Sequence, residues 1–234
     1  MSILKLTEMI PFVNIHTHSE NINKEEYVEI RNIDVDNIVN VNVSHFYSIG
    51  IHPWKVGSED LRNLGIEELC VSVSRCLGDS NFLAIGECGL DRVCESDFEL
   101  QKEVFVKQIE LSERFNKPLI IHAVKSYSDI ISIRKETKAK NNWIIHGFQG
   151  NEQSAEQLLK HGIYLSLGDV LFKNEIKAKR LLQTIPLEKL FLETDVAERK
   201  ISDVYEKAVL LSGIEMDELR NEIFNNFVKI FGQI

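Results

Sequence analysis

The chain has 234 residues, of which 44% are hydrophobic and 27% charged, a composition typical of a folded globular protein rather than a disordered one. Its net charge of -9 argues against broad non-specific affinity for nucleic acid. No apolar run approaches the roughly 20 residues of a membrane span, and residues 1–10 lack the pattern of a signal peptide, so we expect a cytoplasmic protein without a membrane partner.

Short apolar runs alternate with amphipathic segments along the chain. The apolar runs predict strands at residues 12–16, 38–43, 47–51, 82–86, 119–121, 143–145, 163–167 and 190–192. The clearest predicted helix begins at a capping box, Ser96 followed by Glu99, and stops before Pro118. After residue 195 the strands cease, and an apolar face formed by Leu219, Ile223, Phe227 and Ile230 predicts a closing helix.

This alternation predicts the α/β class, with residues 1–234 forming a single-domain (β/α)8 TIM-type barrel that carries extra C-terminal helices. One connection does not fit a regular barrel. Residues 43 and 47 are joined by three residues, whereas a parallel crossover needs about a dozen. The second strand is therefore expected to be irregular, antiparallel or continuous with the third, and the barrel to be distorted near strands 2 and 3.

Histidines and carboxylates follow the predicted strands. In barrel enzymes the chemistry lies at the C-terminal ends of the strands, and these ends carry His16, His18, His52, Glu87, His122, His146 and Asp195. Strand alternation turns His16 and His18 to the same face, although an isolated His-x-His is equally compatible with one core histidine and one solvated histidine. Four histidine ligands and two carboxylates exceed the needs of one tetrahedral ion, which predicts two divalent ions bridged by Glu87.

Six motifs, taken in order, resemble those of the TatD-like hydrolases, which belong to the metal-dependent hydrolase (amidohydrolase) superfamily. They are His16-Thr-His18, Gly50-Ile-His52-Pro53, Ala84-Ile-Gly-Glu87-Cys-Gly-Leu-Asp91, Ile120-Ile-His122, His146-Gly-Phe-Gln-Gly150 and Leu192-Glu-Thr-Asp195. Any one of them alone would be weak, but six in the family's order make a specific signal. The resemblance runs from residue 14 to residue 195 and returns weakly in the closing helix.

The resemblance implies a role for each matching residue. One ion would be held by His16, His18, Glu87 and Asp195, and the second by Glu87, His122 and His146. Asp195 and Glu87 are the predicted catalytic residues, with Asp195 taking a proton from the attacking water. His52 would contact the substrate rather than a metal ion; a role limited to fixing the turn at Pro53 is an equal alternative.

Three further residues are assigned supporting roles. Asp91 and Glu193 are predicted to orient histidines or loops from behind the ligands. Lys125, three residues after His122, is the best candidate cation for an anionic substrate, and the alternative is a solvated lysine at the start of a helix.

The four cysteines, Cys70, Cys76, Cys88 and Cys94, show no Cys-x-x-Cys pairing and are expected to be reduced thiols.

The chain departs from the family pattern at several positions. Asn14 replaces a frequent aspartate, Lys125 a common arginine, and Gly147 a usual cysteine, while residues 196–200 replace a Ser-Pro segment and a substrate-facing loop. A lysine supplies a point charge where arginine supplies a planar fork, so bidentate phosphate recognition would be weaker there. The metal chemistry is therefore better supported than the identity of the substrate.

Three functions of different kinds follow. The leading hypothesis is a divalent-metal-dependent hydrolase that cleaves a phosphodiester, most often DNA in the family, with nucleic acid present only as a substrate. The second is a carboxyl-ester or amide hydrolase such as a D-aminoacyl-tRNA deacylase. The third is a metal-binding scaffold without turnover, against which the presence of Asp195 argues. A phosphatase of the polymerase-and-histidinol-phosphatase type would leave the Gly86–Asp91 motif unexplained.

The metal and the protein partners are less determined than the ligands. Histidine-rich ligation favours zinc, manganese, nickel or iron, and the carboxylates keep magnesium admissible. The sequence points to no obligate protein partner.

Overall fold

Eight parallel strands form a nearly closed barrel within residues 10–19, 26–35, 45–57 and 69–233, which are the residues described by the computed structural model. Each strand pairs with the next in chain order. The strands are β1 (Phe12–Thr17), β2 (Tyr27–Asp34), β3 (Phe46–Gly50), β4 (Phe82–Asp91), β5 (Leu119–Val124), β6 (Trp143–Ile145), β7 (Tyr164–Leu167) and β8 (Leu190–Leu192). The predicted (β/α)8 barrel is confirmed.

Helices cover the outside of the barrel and follow its last strand. They are α1 (described at residues 69–76), α2 (Phe98–Phe115), α3 (Tyr127–Thr137), α4 (Glu152–Lys160), α5 (Val170–Lys173), α6 (Glu175–Thr184), α7 (Ile201–Ser212) and α8 (Met216–Phe231). The predicted capping box at Ser96 is wrong by one residue. Asp97 caps α2 by accepting a hydrogen bond from the backbone N–H of Leu100 at 2.8 Å, and the Ser96 hydroxyl donates to the carbonyl of Trp54 instead.

The second strand is not where the sequence analysis predicted it. Residues 38–43 lie outside the described part of the chain, and β2 is Tyr27–Asp34. This segment alternates buried residues such as Val28 and Ile30 with more accessible ones, so it lacks the continuous apolar run of the other strands.

The distortion lies on either side of the β2–β3 pair. β2 and β3 pair in parallel without interruption, whereas the segment predicted to be irregular, antiparallel or continuous with the third strand lies outside the described residues. The register shifts between Asn14 and Thr17 where β1 meets β2, and between Tyr47 and Ser48 where β3 meets β4. The barrel is thus irregular near strands 2 and 3, as predicted, but for a different reason.

The barrel closes between β1 and the end of β8. The backbone N–H of Asp195 donates to the carbonyl of His16 at 3.1 Å, and the N–H of His18 donates to the carbonyl of Asp195 at 3.1 Å. From α7, the hydroxyl of Tyr205 accepts from the N–H of Val13 and donates to its carbonyl, both at 3.1 Å. Helix α7 therefore holds β1 in place at the seam between β1 and β8. At this seam the predicted ligands His16 and His18 lie next to Asp195.

Close approach of β4 to β5 depends on a glycine. A Cβ atom at Gly89 would lie 2.1 Å from the carbonyl oxygen of His122, and its φ of +137° is one that other residues rarely adopt. This contact brings the strand that carries Glu87 against the strand that carries His122.

Among the described residues, no helix combines the length and the apolar composition of a membrane span. All four cysteines are free, as predicted, and Cys88 is buried in the core.

Candidate metal centre

The side chains of the six predicted ligands converge at the C-terminal end of the barrel. His16 lies in β1 and His18 just after it, Glu87 lies in β4, His122 lies in β5, and His146 and Asp195 follow β6 and β8. Because the strands are parallel, their carboxyl ends meet at one edge, and residues far apart in the sequence share a single site.

Glu87 lies at the centre of this cluster, and its two carboxylate oxygens face different imidazoles. Oε2 is 3.3 Å from Nε2 of His16 and 3.4 Å from Nε2 of His18. Oε1 is 2.9 Å from Nδ1 of His122 and 2.8 Å from Nε2 of His146. One carboxylate therefore connects two sets of nitrogen ligands.

Asp195 completes the set around Oε2 of Glu87. Its Oδ1 is 3.6 Å from Nε2 of both His16 and His18. The residue adopts a left-handed backbone conformation with φ of 53°, held by the two hydrogen bonds that close the barrel. Its side chain is 39% exposed, so one side of the carboxylate is open to solvent while the other faces the histidines.

His52 also reaches the cluster, at 3.0 Å from Oε1 of Glu87 through Nε2. Its Nδ1 accepts a hydrogen bond from the backbone N–H of Trp54 at 3.1 Å. From this hydrogen bond we infer that neutral His52 carries its proton on Nε2, which leaves no lone pair there for a metal ion. The geometry thus favours a hydrogen-bond donor over a ligand, and the same imidazole holds the turn after Pro53.

Asp91 lies behind His122, where the sequence analysis predicted an orienting group. Its Oδ2 accepts a hydrogen bond from the indole N–H of Trp54 at 2.6 Å and is 3.1 Å from Nε2 of His122, while its Oδ1 accepts from the backbone N–H of Val93 at 2.8 Å. Burial would raise the pKa of Asp91, but these hydrogen bonds lower it. An ionised Asp91 would favour the His122 proton on Nε2, which would leave Nδ1 available to a cation beside Glu87.

Glu193 lies behind His146 in the same manner. The buried Glu193 accepts a hydrogen bond from the backbone N–H of Gly147 at 2.5 Å, and the same Oε1 atom is 3.4 Å from Nδ1 of His146. A proton on Nδ1 would face this carboxylate and leave Nε2 free toward Glu87. Each of these two histidines therefore has a carboxylate behind it and Glu87 in front.

The donor set fits a divalent cation. His16 is wholly buried, yet its Nε2 atom, which lies 3.3 Å from Glu87 and 3.6 Å from Asp195, forms no hydrogen bond within the described residues. Buried polar atoms normally have partners, so an unpaired nitrogen aimed at two carboxylates is the arrangement expected of a metal ligand. Three groups bring potential ligand atoms within 4.8 Å of one another: His16, His18 and Glu87; His16, His146 and Asp195; and His52, Glu87 and His122.

The electrostatics of the cluster point the same way. Burial alone would raise the pKa of Glu87, but His146, His122 and His16 hold it well below its ordinary value. Burial alone would lower the pKa of His146, but Glu87 and Glu193 hold it well above. Protons on the imidazoles thus balance the carboxylates here, and a bound cation would take their place.

The residues predicted for substrate contact are less constrained. Lys125 follows β5 with a left-handed φ of 50°, and its side chain is exposed. Among the described residues no hydrogen bond or ion pair of Lys125 is found, which fits both a substrate contact and a solvated lysine. Residues 196–200 form a short turn rather than a long loop; within it Arg199 pairs with Asp169 at 3.0 Å.

Asn14 has a structural role that its usual replacement could not fill. Its side-chain amide donates to Glu29 at 3.0 Å and to the Thr194 hydroxyl at 2.9 Å, and its Oδ1 accepts from the N–H of Thr194 at 3.0 Å. An aspartate has no N–H with which to make the first two bonds. This departure therefore tightens the seam next to Asp195 without touching the ligands.

Two residues near the cluster were missed by the sequence analysis. Asn32 of β2 accepts a hydrogen bond from the backbone N–H of Glu87 at 2.7 Å, and it could not be found because β2 itself was not predicted. Trp54 contacts His52 and Asp91, and its position directly after the His52-Pro53 motif was a signal that could have been used.

Curated relatives of the chain are metal-dependent hydrolases by name. The "Uncharacterized metal-dependent hydrolase YcfH" of Escherichia coli is 29% identical over 227 residues, covering 88% of this chain and 78% of that protein. "Uncharacterized metal-dependent hydrolase YabD" of Bacillus subtilis is 37% identical over 153 residues, covering 64% of this chain and 58% of that protein.

Solved structures share the fold. A TatD homologue from Escherichia coli, YjjV, superposes with a TM-score of 0.81 at 19% identity over 97% of this chain and 100% of that one. A TatD family hydrolase from Entamoeba histolytica gives a TM-score of 0.77 at 19% identity over 94% of this chain and 98% of that one. The family described as TatD related DNase matches residues 32–232, and the chain therefore belongs to that family.

Proposed function

We propose that the protein is a hydrolase that uses two divalent metal ions to cleave phosphodiester bonds in DNA. The observation that carries this proposal is that the two carboxylate oxygens of Glu87 face different pairs of histidines. Oε2 faces His16 and His18, while Oε1 faces His122 and His146. A carboxylate shared in this way suits a pair of ions, an arrangement used to stabilise the attacking and leaving oxygens of an in-line displacement.

The ligands divide into two sets under this proposal. His16, His18, Asp195 and Oε2 of Glu87 would hold one ion, and Oε1 of Glu87 with His122 and His146 would hold the other. When bound, such ions lower the pKa of water and polarise the bond to be cleaved. The excess of imidazole favours zinc, manganese, nickel or iron, and the carboxylates also admit magnesium.

Asp195 is the proposed proton acceptor. Burial would raise the pKa of its carboxyl, but His16 and His146 lower it, so the group is ionised and able to accept a proton near neutral pH. Its partial exposure lets an attacking water reach it from solvent. His52, with Nε2 carrying a proton, would donate a hydrogen bond to the substrate beside Glu87.

The choice of DNA rests on the family description and on local charge. The matching family is described as TatD related DNase. The protein as a whole is acidic, so the phosphates must be held locally, by the bound ions and by exposed Lys125 at the same end of the barrel. Nucleic acid is a partner here only as a substrate.

The test is reconstitution followed by a cleavage screen. Protein stripped by a chelator is reloaded with each candidate metal and assayed on single-stranded DNA, a phosphomonoester and an aminoacyl ester, and bound metal is counted by mass spectrometry. We expect about two ions per chain and cleavage of DNA. Hydrolysis of the aminoacyl ester alone would reject the phosphodiesterase in favour of a carboxyl-ester hydrolase.

Replacement of Asp195 separates an enzyme from a metal-binding scaffold. Loss of a positioned proton acceptor costs about 10²- to 10⁴-fold in rate, so Asp195→Asn should lower kcat by that amount. The matched control is Glu198→Gln, which removes an exposed carboxylate three residues further along. Equal rates for wild type, Asp195→Asn and Glu198→Gln would refute the proposed mechanism.

A further inference from the structure

Trp54 is an exposed aromatic side chain at the edge of the metal centre. It lies in the short 3-10 turn Pro53–Lys55 after β3, and 63% of its surface is exposed. Its ring makes edge contacts with two imidazoles of the cluster, at centroid distances of 4.9 Å from His52 and 5.9 Å from His122. The exposed indole therefore lies directly beside the groups proposed to hold metal and substrate.

Three hydrogen bonds hold Trp54 in this position. Its backbone N–H donates to Nδ1 of His52 at 3.1 Å, its indole N–H donates to Asp91 at 2.6 Å, and its carbonyl accepts from the hydroxyl of Ser96 at 3.2 Å. A ring already fixed in one orientation loses little further freedom when a ligand binds to it. The only polar atom of the side chain is engaged, so the exposed part offers an apolar aromatic surface.

Val93 is a second residue next to Asp91 with an exposed apolar side chain. We call the exposed side chains of Trp54 and Val93 the apolar rim. Its side chain is 62% exposed, and its backbone N–H bonds the oxygen of Asp91 that Trp54 does not use. Two residues with exposed apolar side chains thus donate hydrogen bonds to a single buried carboxylate next to the cluster. An anion alone gains nothing from such a rim, whereas a nucleotide presents both a phosphate for the ions and a base with a flat aromatic face.

We infer that Trp54 is a stacking platform for a base of the nucleotide next to the bond being cleaved. This inference rests on the proposed phosphodiesterase function and adds a substrate-contacting residue to it. Because every base has a flat aromatic face, stacking on Trp54 would add affinity without selecting a sequence.

Two oligomers and three variants test the platform. The oligomers are oligothymidylate and a sugar-phosphate oligomer of equal length in which every base is missing. Trp54→Leu should lower kcat/KM for oligothymidylate by about 5- to 150-fold more than it lowers kcat/KM for the abasic oligomer, the range found for loss of one stacked base, because loss of the hydrogen bond to Asp91 affects both oligomers alike. Leu210→Ala, which removes another largely exposed apolar side chain, on α7, controls for surface changes.

Trp54→Phe distinguishes stacking from support of Asp91. Phenylalanine keeps a ring but cannot donate to Asp91, so under the platform its loss on oligothymidylate should be smaller than that of Trp54→Leu. If Trp54 acted only by holding Asp91, both variants would lower cleavage of both oligomers to the same extent. That result would overturn the inference.

Fluorescence provides a readout that does not depend on turnover. The chain has two tryptophans, and Trp143 is wholly buried, so quenching by added oligomer reports on Trp54. In metal-loaded Asp195→Asn protein, oligothymidylate should quench this emission and the abasic oligomer should not. Equal quenching by both, or none by either, would overturn the platform.

The two proposals can fail separately. Quenching by oligothymidylate without cleavage of any DNA by the wild type would support the platform and reject the phosphodiesterase. Cleavage of oligothymidylate at equal rates by wild type and Trp54→Leu would reject the platform alone.

Discussion

Asp91→Asn is the sharpest test of whether Asp91 prepares His122 to bind a metal ion. Both oxygens of Asp91 receive a hydrogen bond, Oδ2 from the indole of Trp54 at 2.6 Å and Oδ1 from the N–H of Val93 at 2.8 Å. Oδ2 also lies 3.1 Å from Nε2 of His122. An asparagine has one acceptor oxygen, so one of these positions must become an NH2 group.

Either orientation of the new amide is unfavourable. If its oxygen stays near Val93, the NH2 group faces His122 and would move the His122 proton to Nδ1, the atom 2.9 Å from Glu87 that is the proposed metal ligand. If the amide is flipped, the N–H of Val93 loses its acceptor, which costs less than the roughly 1–3 kcal/mol of a fully buried group because this hydrogen bond is only partly buried. Loss of such orienting partners typically weakens metal binding about 10- to 100-fold. We expect that loss here, which corresponds to about 1.4–2.7 kcal/mol.

The assay is calorimetric titration of metal into chelator-stripped protein. Of the two proposed ions, only one should bind more weakly in Asp91→Asn, because Asp91 faces His122 and not His16 or His18. Asp129→Asn is the matched control, since this nearby carboxylate pairs with Arg92 at 2.7 Å. Affinities within about twofold of wild type at both sites, with an unchanged melting temperature, would refute the assignment of Asp91 as the group that orients His122.

Three further predictions follow from the same geometry. Glu87→Gln should bind at most one ion per chain by mass spectrometry, because an amide cannot bridge two cations; two bound ions would contradict the bridging role. Burial lowers the pKa of His146, but Glu87 and Glu193 raise it by more, so protons compete with the metal for this imidazole. The affinity for metal should therefore increase from about pH 6 to about pH 8. A metal affinity that calorimetry finds independent of pH would contradict this. Gly89→Ala should destabilise the protein by at least about 2 kcal/mol in denaturant unfolding, because its Cβ would meet the His122 carbonyl, whereas Gly78→Ala, with open space around it, should differ from wild type by less than about 0.5 kcal/mol. Equal midpoints would contradict the close approach of β4 and β5.

Continuous apolar runs made most of the barrel predictable. The predicted bounds of β6 and β8 agree with the structure because three consecutive buried residues form each strand. β4 was predicted to stop at Gly86 but continues to Asp91, since its last residues include Glu87 and Asp91, which are polar and nevertheless buried in the site. A polar residue ends an apolar pattern whether it ends the strand or not.

The candidate site was predictable in its members and less so in its details. Imidazoles and carboxylates at the ends of successive parallel strands must meet, so the cluster around Glu87 follows from order along the chain. Asn32 was missed because β2 alternates in character and its burial depends on neighbours distant in sequence. The hydrogen bond from Trp54 to His52 was also hidden, since it depends on how a turn is folded.

The sequence alone predicts a barrel, the imidazole and carboxylate groups at the C-terminal ends of its strands, and the order of these groups along the chain. Periodicity and side-chain chemistry are properties of neighbouring residues, so they can be read without a structure. Only the tertiary structure decides which oxygen of Glu87 faces which histidine, which nitrogen of His122 faces Glu87, and that an indole lies exposed beside them. Those outcomes depend on distances of a few ångströms between residues separated by tens of positions, and only the folded barrel sets such distances.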